Sequence, residues 1–308
     1  MKPRLTATLR GCLLGVALTL SLVAAAQPQV SSPAPQKVLR LSFPTAETGF
    51  DPAQVNDIYS RTVTPHIFEG LYQYDHLARP AKIRPLTADG MPQVSDDFRT
   101  WTVKIKPGIY FMDDPAFKGS KRLDAQGRRE LTAADYVFSY KRFADPVNKS
   151  PVWGGMLDTG YVGLEALRKK ALETKKPFDY EAEIEGIRAL DRYTIQFKTY
   201  KPRPTLIETF ATGDLFGAVA RKVVEHYGDK IMAHPVGTGP FRLTRFVARE
   251  RVEYARNDAY WTDKAKLDRV ILLPIPEANA RTAALLSNQV EAMRRPSGNN
   301  GLKLPFLD

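Results

Sequence analysis

The residue types and spacings that could perform chemistry in this chain are few. A glycine turn at residues 236–241 has Arg242 where a dinucleotide-binding fingerprint needs its third glycine, and no Gly-Lys-Ser/Thr of a phosphate-binding loop follows it. Ser139 and Lys141 could suggest a nucleophile with its base, but residues two apart on a helix point to different faces. We therefore interpret the glycines as a turn that leads into a strand, and the pair as two unrelated side chains.

Carboxylates, histidines and cysteine offer no stronger set. The adjacent pairs Asp96-Asp97 and Asp113-Asp114 lie in turn-like contexts, and adjacent carboxylates usually diverge. The chain has 4 histidines and 1 cysteine, and it contains neither His-Glu-x-x-His nor Gly-x-Ser-x-Gly, the signatures of a zinc protease and a hydrolase elbow. The sequence therefore predicts no catalytic residues, no metal site and no cofactor, which favours a binding protein over an enzyme.

The composition is that of a globular protein with a basic excess. The 308 residues are 43% hydrophobic and 26% charged, which argues against disorder and coiled coil, and at roughly 150 residues per domain the length predicts about two domains. Lys+Arg 45 against Asp+Glu 34 gives +11, a charge that could attract nucleic acid or an anionic membrane. Acids are interleaved with bases even in the densest cluster, residues 165–176, so we interpret it as a solvated helix face and expect no nucleic-acid partner.

The first 26 residues have the three parts of a secretory signal peptide. Three basic residues precede an uncharged run, residues 13–26, which ends in three alanines. That run is shorter than the roughly 20 residues that span a bilayer. The sequence therefore predicts a signal peptide at residues 1–26, cleavage after Ala26, loss of Cys12 and a periplasmic mature protein that begins with a flexible Pro- and Ser-rich leader at residues 27–36.

Hydrophobic patterning predicts a mixture of strands and helices in the mature chain. Alternation predicts a strand at residues 38–43, and a loop then leads through Asp51-Pro52 to a helical stretch. Thr132 followed by Asp135 is similar to a capping box at a helix start. Further strands are predicted at residues 101–105, 183–190, 193–197, 241–246, 252–255 and 267–273, and further helices at residues 206–210, 218–227 and 277–289. Because strands and helices do not alternate strictly, we expect an α/β fold of mixed sheets with flanking helices.

Several short segments carry a family resemblance. They include Phe-Asp-Pro-Ala at residues 50–53, Ile-Phe-Glu-Gly-Leu-Tyr at 67–72, the segment 101–111, Leu-Thr-Ala-Ala-Asp at 131–135, Pro-Val-Gly-Thr-Gly-Pro-Phe at 235–241 and Arg-Asn-Asp-Ala-Tyr-Trp at 256–261. In this order, and running from about Val38 to Glu291, they resemble the family-5 extracellular solute-binding proteins, the peptide- and oligopeptide-binding components of ABC importers.

The resemblance implies a periplasmic binding protein of type II, in which two lobes close by a hinge around a peptide or other small solute. It also implies delivery of the solute to an ABC permease in the inner membrane, without enzymatic activity, and we expect a monomer. The family makes backbone contacts to an extended peptide after the first strand, so the resemblance predicts that this loop lines the ligand cleft: Ala46, Glu47, Thr48 and Gly49. An ordinary surface loop is the alternative interpretation.

The chain departs from the family in its length, because family members are considerably longer. The resemblance implies a first lobe of two subdomains at residues 37–266, the start of a second lobe at 267–292 and an atypical tail at 293–308, with most of the second lobe missing. We therefore expect a C-terminally truncated product with a one-walled cleft, weak solute binding and an exposed sheet edge. We also expect these apolar residues to lack packing partners: Val270, Ile271, Leu272, Leu285 and Leu286.

Two other functional classes stay open at this point. One is a periplasmic enzyme, and the other is a chaperone-like interaction protein that uses the exposed half-cleft. Ligand-dependent stabilisation without turnover would separate binding from catalysis. The ligand class also stays open among a di- or oligopeptide, a nickel chelate, haem and a sugar, because the resembled fold hosts all of these.

Overall fold

The computed structural model describes residues 36–120 and 123–294. The predicted signal peptide at residues 1–26 lies outside the described residues, as do most of the predicted leader and most of the tail at residues 293–308. The described residues belong to one compact unit. Among them, no helix combines the length and the apolar character that crossing a membrane requires.

The described residues form eleven strands and eight α-helices. The strands are β1 (Val38–Phe43), β2 (Tyr72–Tyr74), β3 (Ile83–Pro85), β4 (Gln93–Val94), β5 (Thr100–Lys104), β6 (Ile187–Ala189), β7 (Thr194–Lys198), β8 (Phe241–Val247), β9 (Arg251–Arg256), β10 (Arg269–Pro274) and β11 (Ala292–Met293). The helices are α1 (Ser60–Val63), α2 (Ala133–Arg142), α3 (Trp153–Thr159), α4 (Leu164–Thr174), α5 (Leu206–Phe210), α6 (Gly213–Phe216), α7 (Arg221–Tyr227) and α8 (Ala278–Leu286). Short 3-10 helices occupy Thr64–His66, Pro115–Phe117, Pro146–Asn148 and Gly228–Ala233.

Three sheets organise the described strands. The largest has the order β11-β1-β10-β9-β8, in which β1 runs parallel to both of its neighbours while β10, β9 and β8 pair antiparallel. A second, antiparallel sheet has the order β4-β5-β7-β6, and β2 pairs with β3. Mixed sheets with helices between them are the α/β class that the patterning predicts.

Strand β10 lies in the same sheet as β1, which bears on the packing expected for its apolar residues. It pairs with β1 on one side and β9 on the other, so the boundary expected at residue 267 leads into a strand of this sheet. Val270, Ile271 and Leu272 are 5%, 5% and 1% exposed, because a strand covered on both faces buries a continuous apolar run. The expectation that these three residues lack packing partners is wrong, although Leu286 on α8 is 58% exposed.

The helix predicted after Thr132 forms as α2, and its first turn is capped as expected. The Asp135 carboxylate accepts a hydrogen bond of 2.8 Å from the Thr132 backbone amide and pairs with Arg129 at 2.7 Å. Further along the helix, the ring of Tyr140 lies 5.0 Å from that of Phe197 on β7. Helix α2 therefore covers one face of the four-stranded sheet with aromatic contacts.

The helical stretch expected after Asp51-Pro52 is much shorter than its apolar spacing indicates. Helix α1 spans four residues, a 3-10 turn with Pro65 at its second position follows, and the chain is extended again at Tyr72. Proline has no amide hydrogen to continue a helical ladder, so the helix ends there. Most apolar residues of this stretch are instead buried in a segment that is largely irregular.

A buried carboxylate, Glu69, fastens the glycine turn at residues 236–241. Its oxygens accept hydrogen bonds of 2.5–2.8 Å from three side chains: Thr238, Tyr260 and Trp261. A Cβ atom on Gly237 would lie 2.0 Å from the carbonyl oxygen of Ile67, and the Gly239 amide donates to that same oxygen at 2.9 Å. The glycines therefore permit two backbone segments to touch, which confirms the interpretation as a structural turn.

A buried ion pair joins the two larger sheets. Arg142 at the end of α2 donates from both terminal nitrogens to the two Asp51 oxygens, at 2.5 and 2.7 Å, and both side chains are fully buried. Asp51 ends the loop that leaves β1, whereas α2 covers the four-stranded sheet. The pair therefore fixes the loop relative to both sheets.

We expect Asp51→Asn to lower the free energy of unfolding by roughly 3–5 kcal/mol, because it leaves the Arg142 guanidinium buried without its counter-charge. Urea unfolding measures the change. The control is Glu173→Gln, which breaks an exposed pair with Lys169, 3.8 Å apart and with side chains 73% and 64% exposed, and which should cost less than about 0.5 kcal/mol. Equal effects of the two substitutions would contradict the role of the buried pair.

Candidate functional site

The carboxyl ends of three parallel strands meet at one edge of the central sheet. After β1, the Phe43 carbonyl accepts from the Ile275 amide at 2.7 Å, so the chain that leaves β10 runs beside it. The Arg294 amide, after β11, donates to the Ser42 carbonyl at 3.0 Å. In open α/β sheets, ligands bind in the crevice outside the carboxyl ends of parallel strands. This edge is therefore the candidate site that the topology indicates.

The loop predicted to bind the ligand lies at this edge and is anchored at one end. The Thr48 amide donates to Ser60 Oγ at 3.0 Å, and Thr48 Oγ1 donates to Asp57 Oδ2 at 2.5 Å. The Phe50 amide donates to the Met232 carbonyl at 2.9 Å. Burial disfavours the charge of Asp57, but the hydrogen bonds from Ser60 and Thr48 outweigh it and lower the pKa of that carboxyl. The second half of the loop is thus held against the start of α1.

The first half of the loop has no such anchors. Among residues 36–120 and 123–294, residues 44–47 make no hydrogen bond to any other residue, although this segment contains backbone amides and carbonyls. Backbone polar groups in a folded protein are almost always paired, so an unpaired stretch beside a sheet edge is open to an external partner. Ala46 is partly buried and Thr48 is exposed, so the loop presents both backbone and side chains.

Glu47 is the unusual member of this loop. It is 7% exposed, and neither of its carboxylate oxygens has a hydrogen-bond partner among the described residues. Burial raises the pKa of Glu47, its own amide opposes that shift in part, and the negative charge of Asp57 adds to the increase. A charged carboxylate here loses water and gains no donor from another described residue, which is unfavourable.

Gly49 lets the loop pass close to the segment around Met232. Its φ is +140°, a backbone conformation that residues other than glycine rarely adopt. A Cβ atom added at this position would lie 2.5 Å from Met232 Cε. The structure thus brings all four predicted residues, Ala46–Gly49, into one loop at the carboxyl ends of the parallel strands. Their role in ligand binding stays a prediction.

The side chains of Ser139 and Lys141 form hydrogen bonds with different segments of the chain. Ser139 Oγ donates to the Asp135 carbonyl at 2.7 Å and accepts from the Val219 amide at 2.9 Å. Lys141 Nζ donates to the carbonyls of Tyr180 and Ala182 at 3.0 and 2.8 Å. The two side chains serve separate contacts, as their spacing predicts. Among the described residues, no group of three or more His, Cys, Asp or Glu could hold a metal ion.

Two further concave regions were not anticipated from the sequence. One, of about 990 Å³, lies between α2 and α7 and is lined by Lys141, Tyr180 and Arg221. The other, of about 460 Å³, is lined by Trp153 and Tyr200. The sequence feature that could have indicated this second cavity is the pair Gly154-Gly155 inside α3. Both glycines are exposed and face open space.

Comparison with known proteins identifies the family. The model for bacterial extracellular solute-binding proteins, family 5 Middle, matches residues 82–303. The chain belongs to this family. The resemblance drawn from the short sequence segments is therefore confirmed, and family 5 consists of solute-binding proteins, which agrees with the preference for a binding protein over an enzyme.

Relatives within family 5 bear the names of peptide-binding proteins. Di/tripeptide-binding protein 2 of Pseudomonas aeruginosa (strain UCBPP-PA14) is 27% identical over 301 residues, which cover 96% of this chain and 50% of that protein. The periplasmic oligopeptide-binding protein OppA of Haemophilus influenzae is 28% identical over 218 residues, which cover 70% of this chain and 35% of that protein. The chain spans about half, or less, of the length of these curated relatives.

Solved structures show the same fold. The periplasmic binding protein DppA from Helicobacter pylori, in complex with peptide STSA, superposes with a TM-score of 0.66 at 24% identity, covering 85% of this chain and 47% of that one. OppA of Burkholderia pseudomallei superposes with a TM-score of 0.67 at 23% identity, again covering 85% and 47%. The predicted fold of a type II periplasmic binding protein is thus confirmed for the part of that fold which the chain spans.

The backbone at Gly49 generates a stability prediction. We expect Gly49→Ala to lower the free energy of unfolding by about 1–3 kcal/mol, because the new Cβ meets both an unfavourable φ and the Met232 side chain. Gly154→Ala in α3 is the matched control, since its Cβ would face open space and alanine is the better helix former by up to about 1 kcal/mol. Thermal and urea unfolding of both variants decide the matter. A Gly49→Ala chain as stable as the control would show that the loop readily relaxes.

The raised pKa of Glu47 generates a pH-dependent prediction. The folded chain holds this proton more tightly than the unfolded chain does, so its stabilising effect is present at low pH and is lost as pH rises through the raised pKa. We expect Glu47→Gln to be more stable than the original chain by roughly 1 kcal/mol at pH 8, with the difference shrinking towards pH 4. Unfolding measured across this pH range tests it, with the exposed Glu250→Gln as control. A difference that does not change with pH would be evidence against a buried charge at Glu47.

Proposed function

We propose that the chain is the peptide-binding component of an ABC importer in the periplasm, exported through a cleaved signal peptide at residues 1–26. Peptide is bound at the edge where β1, β10 and β11 end. The names of the relatives, di/tripeptide-binding protein 2 and oligopeptide-binding protein OppA, favour peptides over nickel chelates, haem or sugars. The DppA structure that shares this fold holds the peptide STSA.

The observation that carries the proposal is the backbone of residues 44–47 beside the end of β1, which makes no hydrogen bond to any other residue in the described part of the chain. An extended peptide can bond to such a loop through its own main-chain amides and carbonyls, which gives affinity without requiring a particular side-chain sequence. The anchored half of the loop holds this backbone in place through Thr48 and Phe50. Residues Ala46–Gly49 would therefore supply main-chain contacts, as the sequence predicts.

In the whole protein, a second lobe would close on this edge by a hinge and enclose the peptide. Enclosure matters because ligand pockets normally bury most of the ligand's surface. A closed, loaded protein would then dock on the permease in the inner membrane. We propose a monomer that delivers its solute unchanged, with no nucleic-acid partner.

The proposal is tested by backbone amide NMR shifts of the full chain during titration with Ala-Ala-Ala. We expect the amides of Ala46–Gly49 to move and saturate, while those of the β6–β7 hairpin stay in place; the method detects binding as weak as about 1 mM. Glucose at the same concentrations is the control and should move none of the loop amides. Shifts confined to other regions would contradict the site, and cleavage of the peptide would indicate an enzyme instead.

A further inference from the structure

The cavity of about 460 Å³ beside α3 has no role in the proposed function. Its wall comes from residues between 153 and 165 and between 200 and 203, and it shares no lining residue with the loop at residues 44–50. Leu157 and Tyr200 in this wall are 44% and 56% exposed. Exposed apolar side chains that gather around one concavity mark an interaction site, and the volume lies within the roughly 300–1,000 Å³ of small-ligand pockets.

Two aromatic rings in the wall are held in place by contacts with the protein. The hydroxyl of Tyr200 accepts a hydrogen bond of 3.2 Å from the Gly163 amide. The guanidinium of Arg168 lies 4.8 Å from the centroid of the Trp153 ring and donates to the Ala144 carbonyl at 3.0 Å. Both rings are therefore positioned before a ligand arrives, which lowers the entropy that binding costs.

The indole nitrogen of Trp153 differs from those of the other two tryptophans. Trp101 Nε1 donates to the Phe98 carbonyl at 3.2 Å, and Trp261 Nε1 donates to Glu69 at 2.8 Å. Trp153 Nε1 has no hydrogen-bond partner in the described part of the chain, and its residue is only partly buried. An indole nitrogen can only donate, so a ligand that uses it must offer an acceptor.

The charged side chains of the wall cancel in sign. Asp158 and Glu165 face the same cavity as Lys201 and Arg203, and none of the four takes part in an ion pair within residues 36–120 and 123–294. The hydroxyl of Tyr161 is buried and lacks a partner among the described residues. A wall with two acids and two bases gives no net attraction to a charged ligand, whereas it can serve hydroxyl groups, which both donate and accept.

We propose that this cavity is a second binding site, and that it takes a neutral saccharide. One face of a pyranose ring consists of C–H groups, which are apolar and slightly positive, and such a face matches the negative face of an aromatic ring. The sugar hydroxyls would bond to the four charged side chains and to the free indole nitrogen. The inference is independent of peptide binding at the sheet edge.

The test is a titration of the full chain with cellotriose, a neutral trisaccharide of β-linked glucose, followed by NMR. We expect the indole N–H of Trp153 and the amides of α3 to shift and saturate with a Kd of about 1 mM, while the indole signals of Trp101 and Trp261 stay in place. Sorbitol is the matched control, because it has the hydroxyl groups of glucose without the ring face, and it should move none of these signals.

Variants locate the binding in the cavity. Gly155→Leu should abolish the saturable shifts, because a Cβ there meets nothing within 4 Å and the new side chain would occupy the space that the ligand needs. Leucine is also the better helix former, so the fold should persist. Tyr200→Ala should weaken binding at least roughly fivefold. The control is Leu172→Ala, a 54% exposed position of α4 outside the cavity wall, which should bind cellotriose as before.

Three results would overturn the assignment: equal shifts with sorbitol, shifts away from α3 and Trp153, or undiminished binding by Gly155→Leu. Shifts of Trp153 caused by Ala-Ala-Ala in place of cellotriose would assign the cavity to peptide and overturn the saccharide. The amides of Ala46–Gly49 report the peptide site separately, so either site can fail while the other stands. Thermal unfolding of each variant shows whether a loss of binding is a loss of fold.

Discussion

The ion pair between Asp51 and Arg142 is the interaction on which the arrangement of this molecule depends. It connects the end of the loop that leaves β1 with the last residue of α2, and the two residues are 91 positions apart in the sequence. The loop follows a strand of the five-stranded sheet, whereas α2 covers the four-stranded sheet. Two parallel hydrogen bonds define the orientation of both side chains, which a single contact would not do. A buried pair of this kind adds little net stability, because desolvation offsets much of the attraction, but an arrangement that separates the partners is strongly disfavoured. Geometry rather than stability is therefore what the pair contributes.

Much of the local structure could be predicted because it depends on neighbours in the sequence. The capping box of Thr132 and Asp135, the helix Leu206–Phe210 and the strand after the leader each follow from a few adjacent residues. The partner of Asp51 could not be predicted, since nothing in the spacing of charges indicates which of 45 basic residues it meets. The sheet that contains β10 could not be predicted for the same reason. An apolar run indicates a buried strand, but not the sheet in which that strand is buried.

The candidate site shows the same division between position and chemistry. A loop directly after the first strand of a mixed sheet has a predictable place, at the carboxyl end of that strand. Which side chain of the loop turns inward depends on how Gly49 and Thr48 direct the backbone, and these contacts involve Met232, Asp57 and Ser60. The sequence therefore indicated residues 46–49 as a group, while the burial of Glu47 beside an exposed Thr48 required the structure. The cavity beside Trp153 was missed because an aromatic residue in a helical pattern usually belongs to the core.

The buried carboxylate of Glu47 is an unfavourable feature of the fold at the candidate site. It is unfavourable, because burial removes water from a charge that no other described residue compensates. Arginines on adjacent segments could in principle have paired with it, yet Arg61 and Arg294 are directed to Asp214 and Thr62. Unsatisfied or strained groups of this kind concentrate at functional sites, where surrounding contacts hold them in place. Here the surrounding contacts are the Asp51–Arg142 pair and the anchors of Thr48 and Phe50. The anchored half of the loop thus holds a buried carboxylate in place at the candidate site, at a cost to stability that the rest of the fold offsets.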